Sequence, residues 1–233
     1  MLSIRGDILA KNVFHRLEYK YVLSLEQYNS IINKIKEVLK EDEHGSTTIQ
    51  SLYFDTPNYR LIRQSIEKPA FKEKLRLRSY GLLKKDQLAF LEMKRKSERV
   101  VYKRRVKMTE DEAFDFIAYK NDGFDDQLSK ELKYFRDFYQ ELKPTILLLY
   151  DREAYYLDNL RVTFDTNIRY RLEDLNLSSS LEGTLLDEGI IIMEVKTIGA
   201  IPLWLVKLLS DNQIYKTSYS KYGTAYKKLM CKG

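Results

Sequence analysis

Two hydrophobic periods alternate along the chain. Apolar residues at steps of three and four predict amphipathic helices, because that spacing places them on one face of an α-helix. In two of these helices a hydroxyl residue followed three positions later by Glu or Gln marks the start as a capping box. The predicted helices begin at Ser24 with Gln27, at Thr109 with Glu112, near Leu128, and near Pro202, where proline suits the first helical turn.

Between the helices the period falls to two, which predicts β-strands. In "FKEKLRLRS" cations stand at alternate positions and apolar residues stand between them. The same alternation recurs in "HRLEYKYVL", "AFLEMKRK", "RVVYKRRVK" and "IIMEVK", and roughly eight strands share it. In the first of these stretches the cations are Lys72, Lys74, Arg76 and Arg78, and the apolar residues are Phe71, Leu75 and Leu77.

An antiparallel sheet with one solvated face also alternates in this way, so a single strand does not decide the fold. Taken together, however, the charged faces hold clustered Arg and Lys with few carboxylates, unlike the mixture of a solvated surface. The amphipathic helices are available to cover the apolar faces from outside. We therefore predict an α+β fold, an eight-stranded antiparallel closed tunnel barrel with a cationic interior, flanked by amphipathic helices.

Composition narrows the class of protein. The 233 residues are 44% hydrophobic and contain no low-complexity linker, which predicts a single domain over residues 1–233. Lys and Arg outnumber Asp and Glu by 40 to 34, which favours anionic partners. One cysteine, Cys231, and the lack of a signal peptide or a membrane-length apolar run favour a cytoplasmic protein. Nucleic acid is not an expected partner, because Tyr19 and Tyr102 lie on the face opposite the cations.

A cationic interior requires water and a polyanion, since desolvated charges are costly unless they are paired. Regularly spaced Arg and Lys suit an extended row of phosphates, either polyphosphate or the triphosphate tail of a nucleotide. Carboxylates in such an interior either pair with the cations or hold a divalent metal beside the phosphates. Those carboxylates are Glu18, Glu92, Asp165 and Glu194.

The order of short motifs along the chain carries a family resemblance. "HRLEYKYVL", "SLYFDT", "KLRLRSY", "FLEMKRK", "DREAYY", "RVTFDTNI", "IIMEVK" and "SYSKYG" follow one another over about residues 12–230. In this the chain resembles the VTC domain of vacuolar transporter chaperone polyphosphate polymerases, a branch of the triphosphate tunnel metalloenzyme (CYTH-like) superfamily. The resemblance implies a tunnel barrel that transfers the γ-phosphate of ATP to polyphosphate with a divalent metal, Mn²⁺ or Mg²⁺.

The resemblance also implies roles for individual residues. Glu194 matches the metal-binding glutamate of the family, and Glu18 is a second metal ligand, although Arg16 replaces the first Glu of the superfamily's Glu-x-Glu-x-Lys signature. Ser218 stands where many members have a lysine, and Lys216 is the candidate replacement. The positions that match phosphate ligands are Lys20, Arg76, Arg78, Lys94, Lys103, Arg105, Arg152, Arg161, Lys196 and Lys221, with Lys74 on the same face of its strand.

We therefore predict an ATP-polyphosphate phosphotransferase that uses ATP and inorganic polyphosphate or pyrophosphate. Two alternatives stay open: a triphosphate hydrolase or cyclase on the same barrel, and a non-catalytic polyphosphate-binding module. The retained carboxylate Glu194 disfavours the second, because pure binding does not require a negative charge among phosphates. Family context adds a membrane protein that receives the product as an expected partner, and a peripheral position at the inner face of a membrane.

Overall fold

The computed structural model describes residues 16–67, 69–97, 100–122 and 126–230. Cys231 therefore lies outside the described residues. The helices are α1 (Leu25–Val38), α2 (Arg60–Ile66), α3 (Glu110–Ile117), α4 (Gln127–Tyr139), α5 (Leu203–Asp211) and α6 (Lys221–Ala225), which continues into a π-helical turn (Tyr226–Met230). The strands are β1 (Arg16–Leu23), β2 (Lys40–Glu41), β3 (Thr47–Asp55), β4 (Phe71–Tyr80), β5 (Ala89–Ser97), β6 (Val100–Met108), β7 (Lys143–Leu157), β8 (Leu160–Arg171), β9 (Thr184–Leu185), β10 (Ile191–Ile198) and β11 (Lys216–Thr217).

The four predicted helices are confirmed as α1, α3, α4 and α5. Both capping boxes form, Ser24 with Gln27 at α1 and Thr109 with Glu112 at α3. Pro202 is the N-cap of α5. The short helices α2 and α6 were not predicted, because five to seven residues are too few to show a helical period. Within the described part of the chain, no helix is both long and apolar enough to cross a membrane.

All the strands belong to one antiparallel sheet of eleven strands, with the order β11-β1-β10-β8-β7-β3-β4-β5-β6 and with β2 and β9 added at its margins. The predicted closure of the barrel is wrong, because the sheet is open. The number of strands is eleven and not the predicted eight. Three of the eleven, β2, β9 and β11, have only two residues each. Closure would pair β6 with β1, but β11 occupies the free edge of β1 at Lys20 and Tyr21.

The open sheet is nevertheless strongly curved. In the strand order β1 and β4 are five places apart, which a flat sheet would separate by about 24 Å at about 4.8 Å per strand. Yet Lys20 on β1 reaches the carbonyl oxygen of Tyr219 at 3.5 Å, and Lys74 on β4 donates to Oγ of the next residue, Ser220, at 3.0 Å. The charged faces of these strands therefore look into a common concave space.

Helices cover the convex side of the sheet, as predicted. Helices α3 and α4 pack on Leu75, Leu77 and Leu91, and helices α1 and α5 pack on residues such as Val162 and Met193. A third apolar cluster was not predicted, because it lies on the concave side. There α2, α6 and the π-helical turn pack on strand residues that share a face with the cations, and its members include Ile62, Ile146, Leu148, Ile192, Tyr222 and Ala225. One part of the concave space is therefore a core, and only the rest is cationic.

Candidate active site

Most of the predicted ligands line the concave face, because a spacing of two keeps side chains on one face of a strand. Carboxylates divide them into three ion-paired clusters, and a group without carboxylate partners lies between these. The predicted ligands occupy β1 (Glu18, Lys20), β4 (Lys74, Arg76, Arg78), β5 (Lys94), β6 (Lys103, Arg105), β7 (Arg152), β8 (Arg161), β10 (Glu194, Lys196), β11 (Lys216) and α6 (Lys221).

Glu194 is the centre of the first cluster. Its two carboxylate oxygens pair with Lys20 Nζ at 3.1 Å and with Lys196 Nζ at 3.0 Å. Glu18 lies 3.5 Å and 3.9 Å from the same two ammonium groups, because β1 and β10 are antiparallel neighbours that align Lys20 with Glu194. Burial opposes ionisation of Glu194, but the charges of Lys20 and Lys196 hold its pKa well below the usual range. Glu194 is therefore ionised, as a metal ligand must be.

Glu92 is the centre of the second cluster, across β4, β5 and β6. Its Oε2 accepts hydrogen bonds from Arg76 Nε at 2.9 Å and Nη2 at 2.7 Å, and its Oε1 lies 2.6 Å from Lys103 Nζ. Burial opposes ionisation, yet Arg76, Arg78 and Lys103 lower the pKa of Glu92 to about 2. Glu92 thus orients Arg76, a role that strand periodicity alone does not identify.

Asp165 is the centre of the third cluster and is fully buried. Its carboxylate accepts hydrogen bonds from Arg152 Nε at 2.5 Å and Nη2 at 2.7 Å, and it also pairs with Lys221. Burial opposes ionisation, but Lys221 and Arg152 keep the pKa of Asp165 below its usual value. Helix α6 therefore brings Lys221 to the Arg152–Asp165 ion pair, which joins β7 and β8.

Tyr150 contacts Arg78 and Lys221, and it was not among the predicted site residues. Its hydroxyl accepts a 2.5 Å hydrogen bond from Arg78 Nη2, and the Lys221 ammonium lies 4.3 Å from its ring centroid. Burial opposes ionisation, but Arg78, Arg152 and Lys221 lower the pKa of Tyr150 to about 8. Its position two residues before Arg152, on the same strand face, is the signal that could have identified it.

Lys74, Lys94 and Arg78 form the group without carboxylate partners. Among the described residues, no carboxylate lies within 4 Å of Lys74 or Lys94, and the buried Nε of Arg78 has no hydrogen-bond partner. Burial and the nearby charges of Lys20, Lys72 and Lys94 lower the pKa of Lys74 to about 7, and burial lowers the pKa of Lys94. Because the charges around Lys74 are all positive, an anion bound beside it would stabilise its charged form.

Three predicted ligands lie apart from the clusters. The guanidinium of Arg161 is half exposed and pairs with Asp42 at 3.1 Å. The Lys216 ammonium lies 4.7 Å from the ring centroid of Tyr19, which packs on the convex side. Arg105 is exposed and stacks on Phe90 at 4.7 Å. These three side chains therefore take no part in the ion pairs around Glu194, Glu92 and Asp165, although Arg161 lies opposite Lys196 and Arg105 lies opposite Glu92 in the strand register.

The carboxylates allow a test of whether a divalent metal fits. In the part of the chain that the structure describes, no three acidic, His or Cys side chains form a metal-binding group. Mg²⁺ is commonly held by only one or two carboxylates, with water and substrate phosphates completing its shell. Glu194 and Glu18 provide two carboxylates beside cations that attract phosphate. The site therefore fits a metal that binds together with the phosphates.

A solved structure shares the fold. The chain is similar to a candidate adenylate cyclase from Bacillus halodurans, with 14% identity and a TM-score of 0.55 over 88% of this chain and 93% of that one. A candidate adenylate cyclase from Vibrio parahaemolyticus has 12% identity and a TM-score of 0.45 over 94% and 98% of the two chains. At 14% identity the likeness to the Bacillus halodurans protein concerns the fold alone. None of the curated proteins compared with the chain matches it.

A family model also matches the chain. The model of the VTC domain family matches residues 15–230, which is nearly the whole sequence. The matched region contains the three clusters around Glu194, Glu92 and Asp165, together with the group of Lys74, Lys94 and Arg78. The chain belongs to the VTC domain family.

Proposed function

We propose that this protein is a polyphosphate polymerase, which transfers the γ-phosphate of ATP to the end of an inorganic polyphosphate chain. The observation that carries the proposal is the group of Lys74, Lys94 and Arg78, which lies among ionised carboxylates on a concave face. Family membership supports phosphoryl transfer. A site for a single small anion would not need cations on β1, β4, β5, β7 and β10 together.

The cations have two kinds of role in this proposal. Arg76 and Arg152 are held by Glu92 and Asp165, so that their guanidinium groups are oriented before substrate binds. Preorganised donors of this kind stabilise developing charge without reorganisation during the reaction. Lys74 and Lys94 lack such partners and gain most from the arrival of phosphate. Arg76 and Arg152 therefore position the substrate, and Lys74 and Lys94 provide binding energy.

Glu194 and Glu18 are the residues that would hold a divalent metal, which when bound neutralises charge on the phosphate oxygens. The protein's own groups then align donor and acceptor. A terminal oxygen of the acceptor chain attacks the γ-phosphorus, the bond to the β-phosphate oxygen breaks, and ADP leaves with that electron pair. No protein nucleophile is required, because positioning and charge neutralisation account for most catalysis of phosphoryl transfer.

A triphosphatase is the second candidate, and the open sheet is the observation that favours it. Because β6 and β1 do not pair, the concave face is accessible to water beside Lys103, whose side chain is 44% exposed. Water in place of the acceptor would release inorganic phosphate with the same ligands. The polymerase requires that the acceptor chain excludes this water.

The experiment that separates these functions uses γ-labelled ATP with Mn²⁺ or Mg²⁺ and a pyrophosphate primer, with products resolved on a gel. Glu194→Gln removes the central charge and keeps the side-chain volume. Glu131→Gln is the matched control, because Glu131 pairs with Arg104 on the convex side. We expect long labelled chains from the wild type and Glu131→Gln and none from Glu194→Gln. Free phosphate alone would identify a triphosphatase, and tight polyphosphate binding without turnover would leave only a binding module.

A further inference from the structure

The concave face of β4, β5 and β6 changes chemical character along its length. At one end only cations face each other across the strands, Lys72 opposite Lys96 and Lys74 opposite Lys94. At the other end Arg78 lies opposite an aromatic residue, Phe90. A row of phosphates gives no reason for an aromatic side chain on this face. The aromatic end therefore calls for a separate explanation.

The aromatic end contains a small stacked arrangement. The rings of Phe90 and Tyr80 meet edge to face, with centroids 6.1 Å apart and planes at 86°. The guanidinium carbon of Arg105 lies 4.7 Å from the centroid of Phe90, and the Lys107 ammonium lies 5.9 Å from it. Tyr80 is 47% exposed. Aromatic rings and a guanidinium plane are thus displayed together to solvent.

Arg105 has a free face in this arrangement. One face of its guanidinium lies on Phe90, and no carboxylate of the described residues is within 4 Å of it. In contrast, the neighbouring Arg104 points to the convex side and pairs with Glu131 at 3.2 Å. An exposed, planar cation backed by a ring can accept a further flat π-system as a third layer.

We propose that Phe90, Arg105 and Tyr80 form the binding site for the nucleobase of the phosphate donor. This rests on the proposed function and adds to it the place and direction in which a nucleoside triphosphate binds. Nucleobases stack on aromatic rings and on Arg guanidinium planes, with little dependence on which base is present. The site therefore takes a purine or pyrimidine nucleoside triphosphate and selects weakly among them.

The position of this site sets the direction of the substrate. Phe90 is the cross-strand neighbour of Arg78, so the base lies next to Arg78, the first cation of the row on β4. Lys94 is four residues further along β5, which is about 13 Å at the rise of an extended strand. The triphosphate then runs from Arg78 past Arg76 toward Lys74 and Lys94, and it ends near Lys20, which pairs with Glu194. Arg105 acts on the base in this assignment and not on a phosphate.

The alternative is that these residues only stabilise the sheet, since cross-strand aromatic pairs do so in many proteins. The two explanations differ in the ligands that they affect. A purely structural pair would influence inorganic triphosphate and ATP alike. A nucleobase site affects ATP alone, because inorganic triphosphate has no base.

The test measures the binding of ATP and of inorganic triphosphate, each with Mg²⁺, by titration calorimetry on the full chain. Phe90→Ala is expected to weaken ATP about tenfold, within the range of base–aromatic stacking, and to leave inorganic triphosphate within about twofold. Arg105→Lys keeps the charge and the fold but removes the guanidinium plane, so it should also weaken ATP alone. The matched controls are Tyr102→Ala and Arg104→Lys, because these residues lie on the opposite face of β6 and should change neither ligand.

Three other results would overturn the nucleobase site. If both Phe90→Ala and Arg105→Lys leave the affinity for ATP unchanged, or lower both affinities equally, the nucleobase site is wrong while the phosphate site stands. If the wild type binds neither ATP nor inorganic triphosphate, the proposed function itself fails, and the nucleobase site fails with it. If Tyr102→Ala weakens ATP as much as Phe90→Ala does, the effect belongs to the sheet and the proposal is overturned.

Discussion

Replacing Lys74 by arginine tests whether anion binding at this site is coupled to uptake of a proton. Burial and the surrounding cations lower the pKa of Lys74 to about 7, whereas Arg stays charged at every accessible pH. A bound polyphosphate favours the charged ammonium and raises the pKa of Lys74 toward its ordinary value. The affinity of the wild type for polyphosphate should therefore fall as pH rises above 7.

The size of this effect follows from the two pKa values. Lys74 is about half protonated at pH 7 and about one-hundredth protonated at pH 9, so the affinity should fall by up to about 50-fold between them. Partial access of the side chain to solvent makes this an upper limit. The protein should also take up nearly one proton per ligand at pH 8, where the free amine is mostly neutral and the bound amine is charged.

The assay is calorimetric titration with inorganic triphosphate from pH 6.5 to 9, in buffers of different ionisation enthalpy. Lys74→Arg should bind at pH 9 much more tightly than the wild type and should lose most of the proton uptake. Ionisation of Tyr150, whose pKa is about 8, also weakens binding at high pH, and it remains in Lys74→Arg as the residual slope. Identical pH profiles and proton uptake for the two proteins would refute the coupling to Lys74.

Three further predictions concern stability and binding. Glu92→Gln leaves Arg76 without its buried counter-charge, so it should lower the free energy of unfolding by about 3 kcal/mol, and an unchanged denaturation midpoint would contradict this. For the same reason it should tighten triphosphate binding. Tyr222→Phe should cost about 1–2 kcal/mol in chemical denaturation, because it removes the hydroxyl that donates to buried Asp55 at 3.0 Å, and a loss below the error of the measurement would show that this bond contributes nothing. Ser24→Ala should cost about 1 kcal/mol by loss of the helix cap and leave triphosphate affinity unchanged, so altered affinity would mean that α1 influences the site.

Much of the site could be predicted from local periodicity. A strand turns alternate side chains to opposite faces wherever it lies, so Lys74, Arg76 and Arg78 share a face whatever the topology is. Capping boxes are equally local, because the bonds of Ser24 and Thr109 span three residues. These features need no information from distant parts of the chain.

The partners of each charge could not be predicted in this way. Glu92 pairs with Arg76 because β4 and β5 are aligned in one register, and Asp165 pairs with Lys221 because a helix near the C-terminus crosses the sheet. The spacing of Tyr150 from Arg152 places it on the same strand face, but its lowered pKa could not be predicted, since that depends on Arg78 from another strand. Such contacts join residues far apart in sequence, and local spacing carries no record of them.

The open sheet also separates what the sequence determines from what the tertiary structure determines. By itself the sequence determined the four longer helices, the alternating strands, the cationic face and the family to which the motifs belong. Only the tertiary structure decided that β11 takes the edge of β1, that α2 and α6 fill part of the concave space, that Arg161 pairs with Asp42, and that Lys216 lies on Tyr19 at the convex side. The physical reason is that alternation sets the face of a side chain, while strand register, curvature and helix docking set its neighbours.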